Sequence, residues 1–356
     1  MGHPSREGSV AVLNTDFASD NHAGAHPAVM AAIAAANTGY TPSYGDDPWT
    51  ATFRERIKEE FGDEATGFAV LNGTGANILG LSLLLGNRYE AVICPESAHI
   101  ATHEGGAAER QLGTKLITVP TADGKLTPDD VTSRLHGLGV PNEVQPKVVS
   151  ISQATEVGTC YTPDEVAAIA EVAHAHGLLL HMDGARLANA AAYLGCSLRA
   201  LTTDAGVDVV GFGGTKNGAV FAEALVVLRP ELAAKVPFLI RQSLQLASKT
   251  RFISAQLTAL LTDDLWRKNA EHANAMARRL ADGIAGLPHI TLRWPVQSNA
   301  VFAALPHDVI RELQTRYTFH VWDHTEGVVR WMTAFDTTPE SVDAFAADIA
   351  AALKAI

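Results

Sequence analysis

The sequence is poor in several features that mark other classes of protein. Its longest apolar run, at residues 78–85, is far shorter than the ~20 residues that a membrane-spanning helix needs. Only three cysteines occur, Cys94, Cys160 and Cys196, and without a Cys-x-x-Cys pair they favour a reducing compartment. Basic residues are outnumbered 27 to 39 by acidic ones, and the net charge of −12 argues against nucleic acid or an anionic membrane as the main partner.

The composition suits a globular protein of two unequal domains. The content of 47% hydrophobic and 19% charged residues is typical of soluble globular proteins. A chain of 356 residues is too long for one simple hydrophobic core. We predict a large domain over residues 1–260, which includes the N-terminal segment, and a small domain over residues 261–356. Because residues 1–9 contain no apolar stretch of the kind found in signal peptides, we expect a cytoplasmic protein.

Strand-like and helix-like segments alternate through the first part of the chain. The candidate strands are residues 68–71, 91–94, 116–119, 147–151, 178–182, 207–212 and 224–228. This rhythm predicts an α/β architecture with a mostly parallel sheet. Thr127, Thr162 and Thr338 each precede Pro and an acidic residue, a pattern that predicts the start of a helix.

The chain after about residue 260 has a different pattern, which predicts a small α+β domain. Its candidate strands are residues 290–294, 300–304 and 328–332. Two amphipathic helices are marked by apolar residues at helical spacing: Met276, Leu280, Ile284 and Leu287 in the first, and Val342, Phe345, Ile349 and Leu353 in the second.

Lys216 and Asp183 follow two of the candidate strands of the parallel sheet. Lys216 lies in a glycine-rich loop, and Asp183 precedes Gly184 at a strand end. Taken alone, Lys216 could be interpreted as a solvated loop lysine, and Asp183 as the N-cap of a helix. Ligands of open α/β sheets collect at the carboxyl ends of strands, and a pyridoxal cofactor needs both groups there. The lysine forms a Schiff base, and the carboxylate keeps the pyridine nitrogen protonated.

A turn at residues 71–77 is a candidate phosphate site. It follows a strand, contains Gly73, Thr74 and Gly75, and precedes a helix expected to begin near Ala76. Backbone N–H groups at a helix start, together with the Thr74 hydroxyl, can bind phosphate. The turn lacks a Walker lysine and a G-x-G-x-x-G fingerprint, so a tight strand-to-helix connection is the simpler alternative.

His99 also follows a strand, at the same predicted edge of the sheet. An imidazole there can stack on a flat cofactor or move a proton. His99 and His103 have the i,i+4 spacing of metal ligands, with Glu104 beside them, but no third ligand is evident nearby. We therefore expect no metal, and keep a hydrogen-bonded structural histidine as an alternative.

Two arginines are candidates for binding a carboxylate, because the planar guanidinium suits bidentate capture. Arg186 follows Asp183 by three residues, and Arg330 lies in an apolar strand-like run. If Arg330 faces inward it needs an anion, and if it faces outward it is an ordinary strand charge.

With these residues the chain resembles the L-threonine aldolases, pyridoxal-phosphate enzymes of fold type I in the β-eliminating lyase group. The resemblance extends over nearly the whole chain. Its motifs are Phe-Ala-Ser-Asp-Asn at 17–21, Tyr-Gly-Asp-Asp-Pro at 44–48, Asn-Gly-Thr at 72–74, Ala-His at 98–99 with Glu-Gly-Gly at 104–106, His-Met-Asp-Gly-Ala-Arg at 181–186 and Gly-Gly-Thr-Lys-Asn at 213–217.

The resemblance implies an aspartate-aminotransferase-like large domain and a role for each matching residue. Lys216 would bind the cofactor covalently, Asp183 would pair with its ring nitrogen, and His99 would stack on the ring and move the proton of the substrate hydroxyl. The remaining roles are phosphate contact by Gly73, Thr74, Gly75 and Arg251, carboxylate binding by Ser19, Arg186 and Arg330, and contact with a neighbouring subunit's site by Tyr44. The implied assembly is a homotetramer, a dimer of dimers.

The implied activity is reversible cleavage of L-threonine, L-allo-threonine and related β-hydroxy-α-amino acids to glycine and an aldehyde. One position departs from the family: Gln-Ala-Thr-Glu at 153–156 stands where many members have Glu-Asn-Thr-His, so Glu156 replaces a second histidine. This form is similar to a low-specificity branch that acts on β-phenylserine-type substrates. The alternatives are a transaldolase or aminotransferase on the same site, a metal-dependent hydrolase built on His99 and His103, and a non-catalytic protein that binds pyridoxal phosphate.

Overall fold

The structure is a computed structural model that describes residues 14–355. Residues 1–9, in which the sequence shows no signal peptide, lie outside the described residues. The helices are α1 (Pro27–Ala36), α2 (Pro48–Phe61), α3 (Gly73–Leu84), α4 (His99–Thr102), α5 (Ala107–Leu112), α6 (Pro128–Thr132), α7 (Pro163–Ala175), α8 (Leu187–Leu194), α9 (Leu198–Leu201), α10 (Pro230–Ala233), α11 (Val236–Gln242), α12 (Arg251–Leu260), α13 (Leu265–Ile284), α14 (His307–Leu313) and α15 (Pro339–Lys354). The strands are β1 (Thr66–Val70), β2 (Glu90–Pro95), β3 (Lys115–Val119), β4 (Gln145–Ser152), β5 (Leu179–Gly184), β6 (Val209–Gly213), β7 (Glu223–Val227), β8 (Thr291–Leu292), β9 (Ala300–Ala304), β10 (His320–Asp323) and β11 (Val328–Met332).

The first seven strands form one sheet in the order β1-β7-β6-β5-β4-β2-β3. Strand β7 runs antiparallel to both of its neighbours, and the remaining pairs, β6-β5, β5-β4, β4-β2 and β2-β3, are parallel. The predicted α/β class with a mostly parallel sheet is confirmed. The carboxyl ends of β5 and β6, which carry Asp183 and the loop of Lys216, therefore meet at one edge.

Both faces of this sheet are buried, as the continuous apolar character of its strands requires. Successive residues of one strand belong to different cores. Val148 and Val209 belong to the core that contains the apolar residues of α3, whereas Val149 and Val210 belong to the core that contains those of α7. A sheet covered on both faces leaves only its edges open to a ligand. None of the helices between residues 14 and 355 is long and apolar enough to cross a bilayer.

The predicted helix starts occur where the sequence placed them. Thr127 and Thr162 cap α6 and α7 through capping boxes, in which Asp130 and Glu165 return the hydrogen bond. Thr338 caps α15 through the N–H of Ser341.

The second sheet is antiparallel, in the order β10-β11-β9-β8, and packs against α13 and α15. Two details differ from the prediction. The strand expected at residues 290–294 is reduced to β8, and β10 was not predicted. Phe17 joins this second core, because its N–H binds the Thr318 carbonyl at 2.8 Å and its carbonyl accepts the Met332 N–H at 2.8 Å. The boundary at residue 260 stays a prediction.

Candidate active site

A cleft opens between the carboxyl edge of the large sheet and the second sheet, with a cavity volume of about 440 Å³. We call it the outer cleft; its lining includes Ser19, His99, Glu156, Arg186, Lys216, His320, Trp322 and Arg330. A second, narrow cavity of about 50 Å³, the inner pocket, lies beside the outer cleft. Its lining includes Gly73, Thr74, Asn77, Glu104, Asp183 and again His99, Glu156, Arg186 and Lys216. The structure thus brings together nearly all the residues predicted from the sequence.

The loop of Lys216 is held in place by close backbone packing. After β6 the chain forms a 3-10 turn, Thr215–Asn217. A Cβ on Gly214 would lie 2.5 Å from the carbonyl oxygen of Ala222, so only glycine fits. The Asn217 side chain donates to the Trp266 carbonyl at 2.9 Å, which anchors the turn on α13.

The charges around Lys216 favour its neutral form. The guanidinium of Arg186, followed by burial, lowers the pKa of Lys216, and the nearby acids Asp20 and Asp183 only partly oppose this. An amine that loses its proton more readily is a better nucleophile toward a carbonyl carbon. Behind the loop, buried Glu223 accepts the Gly214 N–H at 3.1 Å, and burial raises the pKa of Glu223 to about 7. Sequence reasoning missed Glu223.

Asp183 is buried at the end of β5 and remains ionised. Its carboxylate accepts hydrogen bonds from the Asn77 amide at 2.8 Å and from the Ala185 N–H at 3.0 Å. Burial alone would raise the pKa of Asp183, but the Asn77 hydrogen bond and the Lys216 charge outweigh it, so this pKa lies below its ordinary value. Beneath the site, burial lowers the pKa of His181 to about 4, so its ring is neutral.

His99 is oriented by an acid that sequence reasoning did not assign a role. Its Nδ1 lies 2.8 Å from Glu104, and the Asn77 amide nitrogen lies 2.8 Å from the same Glu104 oxygen and from Asp183. Ligand atoms of His99, Glu104 and Asp183 lie within 4.8 Å of one another, and the Asn77 amide links the two carboxylates, while the buried Oε2 of Glu104 has no hydrogen-bond partner among residues 14–355. The exposed His103 also lines the outer cleft, and its ring lies between those of His99, at 5.8 Å, and Trp322, at 6.3 Å.

Glu156 lies between the outer cleft and the inner pocket. One oxygen, Oε1, accepts the His99 N–H at 2.8 Å and the Ser152 hydroxyl at 2.7 Å. The other, Oε2, is buried and has no hydrogen-bond partner among residues 14–355. Burial raises the pKa of Glu156, and the charge of Asp183 adds to this effect.

The two predicted carboxylate-binding arginines differ in their surroundings. Arg186 is bound bidentately by buried Asp20, at 2.7 and 2.9 Å, a pair that the sequence did not reveal because 166 positions separate the partners. Arg330 donates through Nη2 to the Ala18 carbonyl at 3.1 Å, while its buried Nε is unpaired in the described part of the chain. Burial and the charge of Arg186 lower the pKa of Arg330 to about 10.

Comparisons with known proteins agree with this geometry. A family model described as beta-eliminating lyase matches residues 16–306. The chain belongs to the beta-eliminating lyase family. It is 44% identical over 341 residues to a low specificity L-threonine aldolase of Pseudomonas aeruginosa. The matched region covers 94% of this chain and 96% of that protein. A low specificity L-threonine aldolase of another Pseudomonas is 42% identical, over 95% and 98% of the two chains.

A solved structure shows the same fold. The threonine aldolase of Leishmania major superposes with a TM-score of 0.89 at 33% identity, over 95% of this chain and 99% of that one. The fold predicted from the resemblance, fold type I of the pyridoxal-phosphate enzymes, is confirmed.

The candidate phosphate turn of this lyase is open toward the inner pocket. Asn72 caps α3 by accepting the Gly75 N–H at 2.7 Å, so the helix begins at Gly73, three residues before the predicted Ala76. No atom lies within 4 Å of the position of a Cβ on Gly73, whereas a Cβ on Gly75 would collide with Gln245. The first turn of α3 therefore presents Gly73 and Thr74 to the pocket.

Two residues singled out by the resemblance lie elsewhere in the chain. Arg251, at the start of α12, donates to the Thr41 hydroxyl at 2.9 Å and does not line the outer cleft or the inner pocket. Tyr44 is 48% exposed and packs under the guanidinium of Arg241, 4.8 Å from its ring centre. Both assignments stay predictions.

We expect Asp20→Asn to lower the free energy of unfolding by about 3–5 kcal/mol, because it leaves the Arg186 guanidinium buried without its counter-ion. Asp343→Asn is the matched control, since Asp343 forms the same bidentate geometry with Arg279 on the surface and should change stability little. Chemical denaturation of both variants measures the difference. Equal effects would show that the Asp20–Arg186 pair does not support the cleft.

Proposed function

We propose that this lyase is a pyridoxal-phosphate-dependent L-threonine aldolase that reversibly cleaves L-threonine, L-allo-threonine and related β-hydroxy-α-amino acids to glycine and an aldehyde. The observation that carries the proposal is the convergence of Lys216, Asp183 and Arg330 around the outer cleft and the adjoining inner pocket. Identities of 42–44% to low specificity L-threonine aldolases support it.

The residues around the inner pocket and the adjoining outer cleft fit the cofactor, because they supply the three kinds of group that it needs. Lys216 supplies the amine for covalent attachment, and the ionised Asp183 supplies a partner for a protonated ring nitrogen. The open first turn of α3 would bind the phosphate through Gly73 and Thr74, whereas the predicted contact by Gly75 would compete with the bond from its N–H to Asn72. Pyridoxal phosphate, when bound, provides an electron-accepting ring that stabilises negative charge at the α-carbon of an amino acid.

Arg330 and Arg186 would bind and orient the substrate carboxylate, with Ser19 beside them. Arg330 is the stronger donor, because its Nε is buried and unpaired in the described part of the chain, whereas Arg186 already holds Asp20. A fixed carboxylate sets the rotation of the α-carbon and so decides which of its bonds breaks. His99 would lie against the cofactor ring, held by Glu104.

Exposed apolar side chains support the predicted homotetramer, and the cysteines support the predicted cytoplasmic location. Four large apolar side chains, Tyr40, Tyr44, Phe238 and Leu244, are about half exposed or more, which favours burial against another subunit in a homotetramer. Within that assembly Tyr44 would reach a neighbouring subunit's site, and Arg251 would contact the cofactor phosphate. The unpaired Cys94, Cys160 and Cys196 support a cytoplasmic location.

Product analysis tests the proposal. The protein saturated with pyridoxal phosphate is incubated with L-threonine, and glycine and acetaldehyde are measured over time. We expect the two products in equal amounts, and new β-hydroxy-α-amino acid when glycine and an aldehyde are supplied instead. An amino group transferred to a keto acid, with no aldehyde released, would favour the aminotransferase alternative and contradict the proposal.

A further inference from the structure

Two acids of the site, Glu104 and Glu156, each have a buried oxygen with no hydrogen-bond partner among residues 14–355, and of the two only Glu156 also lines the outer cleft beside Arg330. Glu156 lines both the outer cleft and the inner pocket, and its Oε2 has no hydrogen-bond partner among residues 14–355. A buried carboxylate oxygen without a donor is costly, since each unsatisfied polar atom loses its hydration. The orphan atom therefore indicates that a hydroxyl or another donor of the ligand belongs beside it.

The rest of Glu156 is held rigidly. Its Oε1 accepts hydrogen bonds from the His99 N–H at the start of α4 and from the Ser152 hydroxyl at the end of β4. Two donors on one oxygen fix the rotation of the carboxyl group, so the free oxygen has a defined direction. Catalytic groups held in this way lose little entropy when the substrate binds.

The charged groups around Glu156 come from several elements. Asp183 at the end of β5 repels its negative charge and opposes ionisation, whereas Arg186 beyond the same strand attracts it. Burial raises the pKa values of Cys94 in β2 and of Tyr161, and the negative charge of Glu156 raises them further. Both groups therefore remain protonated. Burial dominates this balance, so the pKa of Glu156 lies above that of an ordinary carboxyl group, which makes its carboxylate a stronger base.

We infer that Glu156 is the catalytic residue that accepts the proton of the substrate β-hydroxyl through its free Oε2. This inference rests on the proposed function. The hydroxyl proton passes to Oε2, and the O–H electron pair closes the aldehyde C=O while the Cα–Cβ bond breaks. The electrons of that bond remain with the glycine fragment, whose α-carbon takes up a proton. The step is reversible and needs no oxidant or reductant.

His99 is the competing base, and the contacts favour Glu156. The ring of His99 uses Nδ1 to contact Glu104, which fixes the plane of the imidazole for stacking. Its side chain is 40% exposed, so water can compete for its other nitrogen. The Oε2 of Glu156 is shielded from water and has no other partner in the described chain.

The decisive experiment compares two reactions in Glu156→Gln. Cleavage of threonine requires transfer of the hydroxyl proton, whereas exchange of the glycine α-proton with deuterated water requires Lys216, Asp183 and the carboxylate site but no hydroxyl. We expect cleavage to fall by about 10²–10⁴-fold and exchange to continue at the wild-type rate. Glutamine keeps the Oε1 acceptor, so the contacts to His99 and Ser152 persist. Glu143→Gln, on the exposed surface, is the matched control and should leave both reactions unchanged.

Two further readouts separate a chemical role from a structural one. The acid limb of the kcat/KM profile for threonine should report a carboxyl group with a raised pKa and should disappear in Glu156→Gln. Infrared difference spectra between two pH values should show a protonated-carboxyl band in the wild type that the variant lacks.

The possible outcomes distinguish a failure of the role of Glu156 from a failure of the proposed aldolase function. Undiminished cleavage by Glu156→Gln would overturn the inference alone, and so would an equal loss of cleavage and exchange. A wild-type protein that exchanges the glycine proton but cleaves no β-hydroxy-α-amino acid would overturn the proposed function, and the role of Glu156 with it.

Discussion

Lys216→Ala and Lys216→Arg should both lose threonine cleavage by at least about four orders of magnitude, the scale on which removal of a covalent nucleophile acts. Alanine removes the amine, and arginine keeps the positive charge but cannot form the covalent link to the cofactor. If the charge of Lys216 were all that mattered, the arginine variant would retain activity. Turnover of L-threonine, followed by acetaldehyde release, measures the loss.

The control for these variants is Lys115→Ala, an exposed lysine on β3. It should cleave threonine at the wild-type rate. Lys216 forms part of a tight turn, so unfolding curves are compared as well. A Lys216 variant that keeps wild-type turnover would show that the amine is not the nucleophile.

The second large effect is expected for Asp183→Asn, which should lower kcat by about 10²–10³-fold, as loss of one preorganised electrostatic partner does in other active sites. The neutral amide cannot hold a proton on the cofactor ring. It also turns an acceptor toward Asn77 into a possible donor, and an unsatisfied buried donor costs about 1–3 kcal/mol of stability. Both kcat and the free energy of unfolding are therefore measured.

Asp208→Asn separates the two consequences. Asp208 is also buried, but lies just before β6 at the opposite edge of the sheet, where it accepts the Leu180 N–H at 2.6 Å and contacts His174 at 2.9 Å. Its replacement should reduce stability and leave kcat unchanged. If Asp183→Asn lost stability without loss of kcat, like Asp208→Asn, the role of Asp183 in the chemistry would be refuted.

Much of the fold follows from local pattern. Strands buried on both faces carry continuous apolar runs, so the central strands of the large sheet were predicted to within about two residues. Strand β10, His320–Asp323, was missed because its side chains line the cleft or remain partly exposed and carry no apolar alternation. Phe17 was placed with the large domain, yet it packs on the second sheet, a contact that only long-range structure reveals.

The residues of the site also fall into two groups, those that local sequence marks and those whose contacts only the folded chain reveals. Lys216, Asp183 and His99 could be found because each follows a strand, and strand ends define the ligand edge of a parallel sheet. Asp20, Asn77 and Glu104 lie within motifs or turns that the sequence shows, but their partners Arg186, Asp183 and His99 could be assigned only from the folded chain. Glu156 stood out as a departure from the family pattern, but its unpaired oxygen is visible only in the folded chain.

Cleavage by this lyase would depend on covalent attachment of the cofactor to Lys216. Borohydride reduction of the protein loaded with pyridoxal phosphate, followed by peptide mapping with mass spectrometry, tests it most directly. We expect one pyridoxyl group per chain, on the peptide that contains Lys216, and none on that peptide in Lys216→Arg. A pyridoxyl group on another lysine, or active protein with no modified lysine, would contradict this dependence on Lys216.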